Sequence, residues 1–255
     1  MNICIISGSP KNNSVTLRYA KSLSKEFTDN PEIINLKDLD LNCCTGCMKC
    51  YHAEKCVIRD DLDIILGKID AADLVVFATP TYLFNVSTLM KIFIDRMANW
   101  GYKSPLMGKP SVIVSTADGK GTGDCISLMR RLVYFTGTLD LHPFYCKLYE
   151  FKFKGRLLKR KEKSIKKIKQ FFKTGIYKPG YEYLHYFNIK KSYLMTAKQR
   201  FYEEHEYWKA NQAGNRFFYP IKKYKIKLNL LKKIYSIISG TFMFFDYKMM
   251  LKYKR

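Results

Sequence analysis

The feature that most constrains this chain is an alternation. Short, nearly continuous apolar runs, rich in Ile, Val and Leu, take turns with longer segments whose apolar residues recur every three or four positions. The apolar runs at 3–7, 32–36, 74–78, 112–115 and 138–148 predict strands, the last interrupted at Pro143. The segments 14–27, 62–69, 87–100, 124–135 and 157–173 predict helices, the last ended by Gly175. Leu17, Ala20, Leu23 and Phe27 illustrate the helical spacing. Strands buried on both faces read as unbroken apolar stretches, so the pattern calls for one parallel sheet. The βαβ units then place helices on both faces through right-handed crossovers. The expected fold is an α/β, doubly wound, five-stranded parallel sheet. In such a sheet ligands bind outside the carboxyl ends of the strands.

The alternation covers residues 1–175, and a different kind of sequence follows in 176–255. The 255-residue chain has net charge +23, but residues 1–150 hold 17 basic and 16 acidic side chains. Residues 151–255 hold 28 basic and 6 acidic side chains, together with 24 aromatic ones. The basicity therefore concerns the C-terminal extension and the last helix of the sheet domain. No apolar run approaches the roughly 18–20 residues of a spanning helix, and the start of the chain lacks a signal-peptide pattern. A cytoplasmic chain with reduced thiols is expected, so the eight cysteines are not read as disulfides. Cys4, Cys125 and Cys146 fall on apolar positions and read as core residues.

Three loops sit where chemistry belongs. The first, Gly8-Ser9-Pro10-Lys11-Asn12-Asn13-Ser14-Val15-Thr16, is small and hydroxyl-rich and leads into a helix. Backbone N–H groups there suit a phosphate, although a plain N-cap and turn explains the composition equally well. Neither a dinucleotide fingerprint nor a Walker loop is present. The second runs through Thr79-Pro80-Thr81-Tyr82-Leu83-Phe84, where Pro80 is expected to stop the strand and Tyr82 and Phe84 could meet a flat ring or pack on the helix behind. Lys91 and Asp95 then stand at i, i+4 as a solvated ion pair, followed by Arg96. The third loop, 116–123, contains Asp118 and Gly119 among three glycines.

Cys44-x2-Cys47-x2-Cys50-x5-Cys56 is the sharpest motif. Four thiolates at this spacing can close on one 4Fe-4S cluster. Zinc usually takes two C-x2-C pairs further apart, and a reduced thiol loop is the bland alternative. Cys43 reads as a competing ligand or a small core residue, and His52 as an exposed side chain.

Together, the Gly-Ser-Pro loop with Ser14 and Thr16, the Thr-Pro-Thr-Tyr segment at 79–82 and Met90-Lys91-Ile92-Phe93-Ile94-Asp95-Arg96 resemble the flavodoxin-like NADPH-dependent FMN reductase family. The cysteine pattern resembles its iron-sulfur flavoprotein branch, and Asp60-Asp61 matches a pattern common in the wider group. The resemblance covers about residues 1–175 and implies FMN as cofactor. Ser9, Ser14, Val15 and Thr16 would hold its phosphate, Val15 through the backbone because the family commonly has Asn there. Pro80, Thr81, Tyr82, Leu83 and Phe84 would line the isoalloxazine, with Asp118 and Gly119 near its far side. Cys44, Cys47, Cys50 and Cys56 would be the cluster ligands. The implied activity is an NAD(P)H- or ferredoxin-dependent oxidoreductase in a homo-oligomer, dimer or tetramer, with a non-catalytic flavin electron carrier as the alternative. Flavin carries the chemistry, so no catalytic acid or base is nominated.

For the extension, a solvated face or subunit contact ranks first. An anionic membrane surface met peripherally by residues 226–250 ranks second, and nucleic acid a distant third. Leu230, Leu231, Ile234, Ile237, Ile238 and Phe242 follow helical spacing among lysines. A surface this basic would also steer an acidic, ferredoxin-like electron carrier.

Overall fold

The computed structural model describes residues 1–51, 56–97, 106–147, 154–196 and 225–252. Strands β1 (Ile3–Ser7), β2 (Glu32–Asn35), β3 (Leu74–Tyr82), β5 (Pro110–Ala117) and the split pair β6 (Leu139–Asp140) and β7 (Phe144–Lys147) form the main sheet. Their order is β2-β1-β3-β5-β6, with β7 also on β5 and every pairing among them parallel. A short strand β4 (Asn85–Val86) pairs antiparallel with the end of β3. The predicted fifth strand is thus present in two pieces, separated by Leu141-His142-Pro143.

Side-chain alternation divides the core. Ile3 and Ile5 point to one face with Leu74, Val76, Val112 and Val114, where helices α1 (Val15–Ser24) and α5 (Lys154–Thr174) pack through Leu17, Leu23 and Ile168. Cys4 and Ile6 point to the other face with Val75, Phe77 and Ile113. There α2 (Leu62–Ala71), α3 (Thr88–Arg96) and α4 (Thr122–Phe135) cover them through Ile65, Ile69, Met90, Phe93 and Met129. Cys4, Cys125 and Cys146 are buried, as their apolar neighbours required. Ser14 caps α1 and Ser87 caps α3, each accepting a backbone N–H three residues on, so both helices begin at a side chain readable in the sequence.

One boundary departs from expectation. Pro80 does not stop β3, which continues to Tyr82 with Pro80 in register with Thr116. The reason lies in β1, whose last pairing with β3 is Ser7 with Ala78. Beyond that point β3 has no parallel neighbour on the β1 side, so a residue without an N–H breaks no ladder bond there.

The extension contributes three described elements: α6 (Tyr181–Thr196), α7 (Leu230–Lys252) and a two-strand parallel pair, β8 (Ile176–Tyr177) with β9 (Lys225–Ile226). Tyr183, Leu184 and Phe187 of α6 join the core on the α4 side, and Tyr183 meets Tyr134 edge to face at 5.5 Å. The boundary near residue 175 is therefore not a break in the apolar core. Replacing a fully buried Phe by Ala costs roughly 3–5 kcal/mol, and Phe187 is such a residue. Phe187→Ala is expected to lower the midpoint of one cooperative urea transition reported by sheet-domain and whole-chain probes alike. A separate early transition confined to the extension would contradict this.

Candidate functional site

The carboxyl ends of β1, β3 and β5 lie side by side, and hydroxyl groups knit their loops together. The Gly8 N–H donates to Ala78 O at 2.8 Å, and Ser87 Oγ donates to Gly8 O at 2.5 Å. Thr79 Oγ1 accepts from Ser87 N. Thr81 Oγ1 and Ser115 Oγ lie 2.8 Å apart, and Thr16 Oγ1 and Thr116 Oγ1 2.6 Å apart. Gly8 is required by space: a Cβ there would fall 2.8 Å from Met90 Cβ.

Ser9, Ser14 and Thr16 are all buried at the start of α1. Ser9 Oγ accepts from Lys11 N and Ser14 Oγ from Leu17 N, which leaves each hydroxyl proton able to donate. The first N–H groups of a helix, here those of Val15 and Thr16, have no intrahelical acceptor. Donor hydroxyls and orphan N–H groups at a helix N-terminus fit a phosphate. The Thr16 hydroxyl is engaged with Thr116, so this residue offers the site its backbone.

Beside this cradle, Thr81-Tyr82 and Asn85-Val86 close a hairpin through Leu83 and Phe84. Both turn residues have positive φ, 45° and 63°. Two-residue hairpins favour such angles but normally take Asn-Gly to reach them. Here a leucine and a phenylalanine are held there, with Tyr82, Leu83 and Phe84 exposed to 49%, 94% and 55%. The aromatic side chains are presented rather than packed away. Gly121, at φ 93°, passes beneath: a Cβ on it would lie 2.9 Å from the Phe84 Cα. Pro80 is buried behind the hairpin, while Asp118 is exposed and Gly119 half-buried at the end of β5. The residues expected around a phosphate and a flat ring thus lie on loops at the carboxyl ends of β1, β3 and β5.

The cysteine loop lies elsewhere, against α3 and α4. Cys43, Cys44 and Cys47 are exposed, and Cys50 and Cys56 are partly buried. The exposure of Cys43 removes its reading as a core residue. Among the described residues no three His, Cys, Asp or Glu side chains are gathered closely enough to hold a metal ion. Burial raises the Cys50 pKa, and Cys56, Cys44 and Cys47 push it further the same way. The Lys49 N–H and the Thr45 hydroxyl lower that of Cys47. A cavity of about 590 Å³ opens beside the loop between Cys44, Met48, Cys50, Ile94, Met97 and Leu132. His52 lies outside the described residues.

What holds this loop is a pair with no local sequence signature. Arg96 stands in the sequence after a surface ion pair, at the end of the motif at 90–96, and Asp60 in the Asp60-Asp61 pair. Lys91 and Asp95 do form that exposed pair. Arg96 instead turns inward, and the Arg96 and Asp60 side chains are both fully buried against each other. Arg96 also donates to Asn42 O at 2.9 Å and Ile58 O at 3.4 Å. Asp60 accepts from the N–H groups of Asn42 and Leu62. One ion pair thereby clasps both ends of the segment that carries five cysteines. Burial opposes ionisation of Asp60, but the bonds from Arg96, Asn42 and Leu62 prevail and hold its pKa below the ordinary carboxylate value. The one signal in the sequence is that Asp60 and Arg96 both lie in segments that carry the family resemblance.

The doubly wound sheet and its loop geometry define a flavodoxin-like α/β protein. A solved azoreductase shares the fold, with a TM-score of 0.50 at 14% identity over 65% of this chain and 98% of that one. The chain belongs to the NADPH-dependent FMN reductase family, whose model matches residues 1–145. It is 34% identical over 120 residues to an iron-sulfur flavoprotein of Archaeoglobus fulgidus, covering 45% of this chain and 54% of that one. It is 31% identical over 143 residues to an iron-sulfur flavoprotein of Clostridioides difficile, covering 54% and 63%. The chain thus spans a little over half the length of these curated relatives.

Three variants test the geometry. Removing one partner of a buried ion pair costs about 3–5 kcal/mol. Arg96→Met is expected to destabilise by that order in urea melts and to speed the reaction of the loop thiols with an aromatic disulfide reagent. Because the Asp60 pKa is depressed on folding, its contribution is present above the ordinary carboxylate pKa of about 4 and fades as pH falls through the lower folded value. Asp60→Asn should therefore flatten the acid limb of Tm against pH. Residues forced into left-handed backbone cost about 1–3 kcal/mol each, so Leu83→Asn with Phe84→Gly should raise the global Tm. An unchanged or lower Tm would show the hairpin to be unstrained.

Proposed function

We propose that this chain is an FMN-dependent oxidoreductase that takes reducing equivalents from NADPH or NADH, and that its cysteine loop is the seat of a 4Fe-4S cluster. The observation that carries the reading is the meeting, at the ends of β1, β3 and β5, of a hydroxyl-lined helix start with an exposed, strained aromatic hairpin. Family membership over residues 1–145 supports FMN as the group that fits there.

In this reading Ser9 and Ser14 donate hydroxyl protons to the phosphate, and Val15 and Thr16 their backbone N–H groups. Pro80, Thr81, Tyr82, Leu83 and Phe84 orient the ring system and shield one face from water, with Asp118 and Gly119 at its far side. Bound FMN supplies hydride acceptance from a nicotinamide and release of electrons one or two at a time. The protein needs no acid or base for that transfer. Its work is to hold two rings in register, where a misplacement of about 1 Å is costly.

Cys44, Cys47, Cys50 and Cys56 would hold the cluster, whose chemistry is single-electron exchange. Support comes from the thiol donor set at its sequence spacing and from the relatives, which are named iron-sulfur flavoproteins. Arg96 and Asp60 would position that donor set. An acidic, ferredoxin-like carrier suits the +23 chain as a one-electron partner.

Anaerobic purification with an absorbance spectrum and assays of iron, sulfide and flavin tests both halves. Flavin with iron and sulfide is expected in the full chain. Cys44→Ser with Cys56→Ser should lose the iron and keep the flavin. Turnover of NADPH or NADH with a simple acceptor should follow flavin content. Flavin without iron would reduce the loop to thiols, absence of both would remove the reading, and a flavin that nicotinamides do not reduce would leave a carrier.

A further inference from the structure

The helix pair α6 and α7 is built inside out. Between them polar and small residues meet beside an aromatic pair. The buried Asn188 donates through Nδ2 to Ser236 O at 2.8 Å and to Ser239 Oγ at 2.7 Å. Ser192 Oγ donates to Gly240 O at 3.4 Å. Gly240 faces the Asn188 side chain, where a Cβ would stand at an ordinary contact distance of 3.5 Å. Tyr235 packs edge to face on Tyr181 at 5.1 Å, and Lys232 lies over the same Tyr181 ring at 5.5 Å.

The opposite side of α7 is apolar and open. Leu230, Leu231, Ile234, Ile237 and Ile238 are 72%, 66%, 43%, 52% and 65% exposed. At 100° per residue these five fall within about a third of the helix circumference, opposite Ser236 and Ser239. A helix pair in water normally does the reverse, burying its apolar stripe and wetting its polar one. Small and polar residues between helices, with apolar side chains outward, is the arrangement found where the surroundings are lipid.

We propose that this face of α7 docks on the surface of an anionic lipid bilayer. The charge argues for lipid over a second copy of the chain. Residues 222–233 carry six lysines and no Asp or Glu. A two-fold contact is self-complementary, so a second copy would add the same uncompensated lysines. Anionic headgroups neutralise them instead. Among the described residues no helix is long and apolar enough to cross a membrane, so α7 lies in the interface plane. The exposed apolar stretch 230–238 gives a contact about 12 Å long along the helix axis. The inference stands apart from the flavin reading, because none of these residues belongs to the β-strand loops or the cysteine loop.

The test is sedimentation of the full chain with vesicles of phosphatidylglycerol and phosphatidylcholine, and with phosphatidylcholine alone. Binding is expected to the anionic vesicles, weakening as salt rises. Leu231→Glu with Ile238→Glu should reduce it by roughly tenfold or more. Lys227→Gln with Lys233→Gln, a change at two exposed positions, should reduce it about tenfold. Circular dichroism melts confirm that the variants remain folded, and the lysine pair serves if the glutamate pair does not. No binding to anionic vesicles, or equal binding to neutral ones, would overturn the proposal. So would a dimer in sedimentation velocity that the glutamate pair disperses while vesicles leave the chain in solution.

Discussion

Burial of β1, β3 and β5 on both faces is the constraint from which the remaining geometry follows. Ile3, Ile5, Val76, Val112 and Val114 face one helix layer, and Cys4, Ile6, Val75, Phe77 and Ile113 face the other. Strands so placed must run parallel and take helices as crossovers. Every crossover then starts from the same edge, and the three strand-to-helix loops converge there. The phosphate-type cradle and the aromatic hairpin meet because the sheet leaves them no other place. The early end of β1 adds a consequence: it frees β3 to carry Pro80 and to fold back on itself through β4.

The cysteine loop obeys a different logic. It has little apolar surface of its own, and its position comes from one desolvated ion pair. A buried arginine and carboxylate are costly to bring together and more costly to separate. Arg96 and Asp60 also bond the backbone at the two ends of the loop, at Asn42, Ile58 and Leu62. Orientation of the thiols is thereby coupled to α3, whose cap Ser87 is hydrogen-bonded to Gly8 in the first loop. A continuous chain of short contacts joins the cradle to the cysteine segment.

The extension shows that charge counts alone mislead. Its lysines suggested a solvated face, and much of α5 is one. Yet α6 contributes Tyr183, Leu184 and Phe187 to the core, while α7 turns its serines and glycine inward and its leucines and isoleucines outward. Composition describes these helices as similar basic segments. Only their mutual packing shows that they face opposite environments.

Much of the fold was legible along the chain. Unbroken apolar runs and helical patterns in 1–175 are local properties, and so are the capping residues Ser14 and Ser87, the stop at Gly175 and the break at Pro143. The loops that meet at the sheet edge could be named because strand order and crossover handedness restrict where they go. Other features depend on which side chain faces which across long sequence separations. The pairing of Arg96 with Asp60, the continuation of β3 through Pro80, the strain at Leu83 and Phe84, and the inverted face of α7 are of this kind. Local pattern dictates how each segment folds. Burial, and the obligation to satisfy every polar group that is buried, is decided only when segments distant in the chain close on one another.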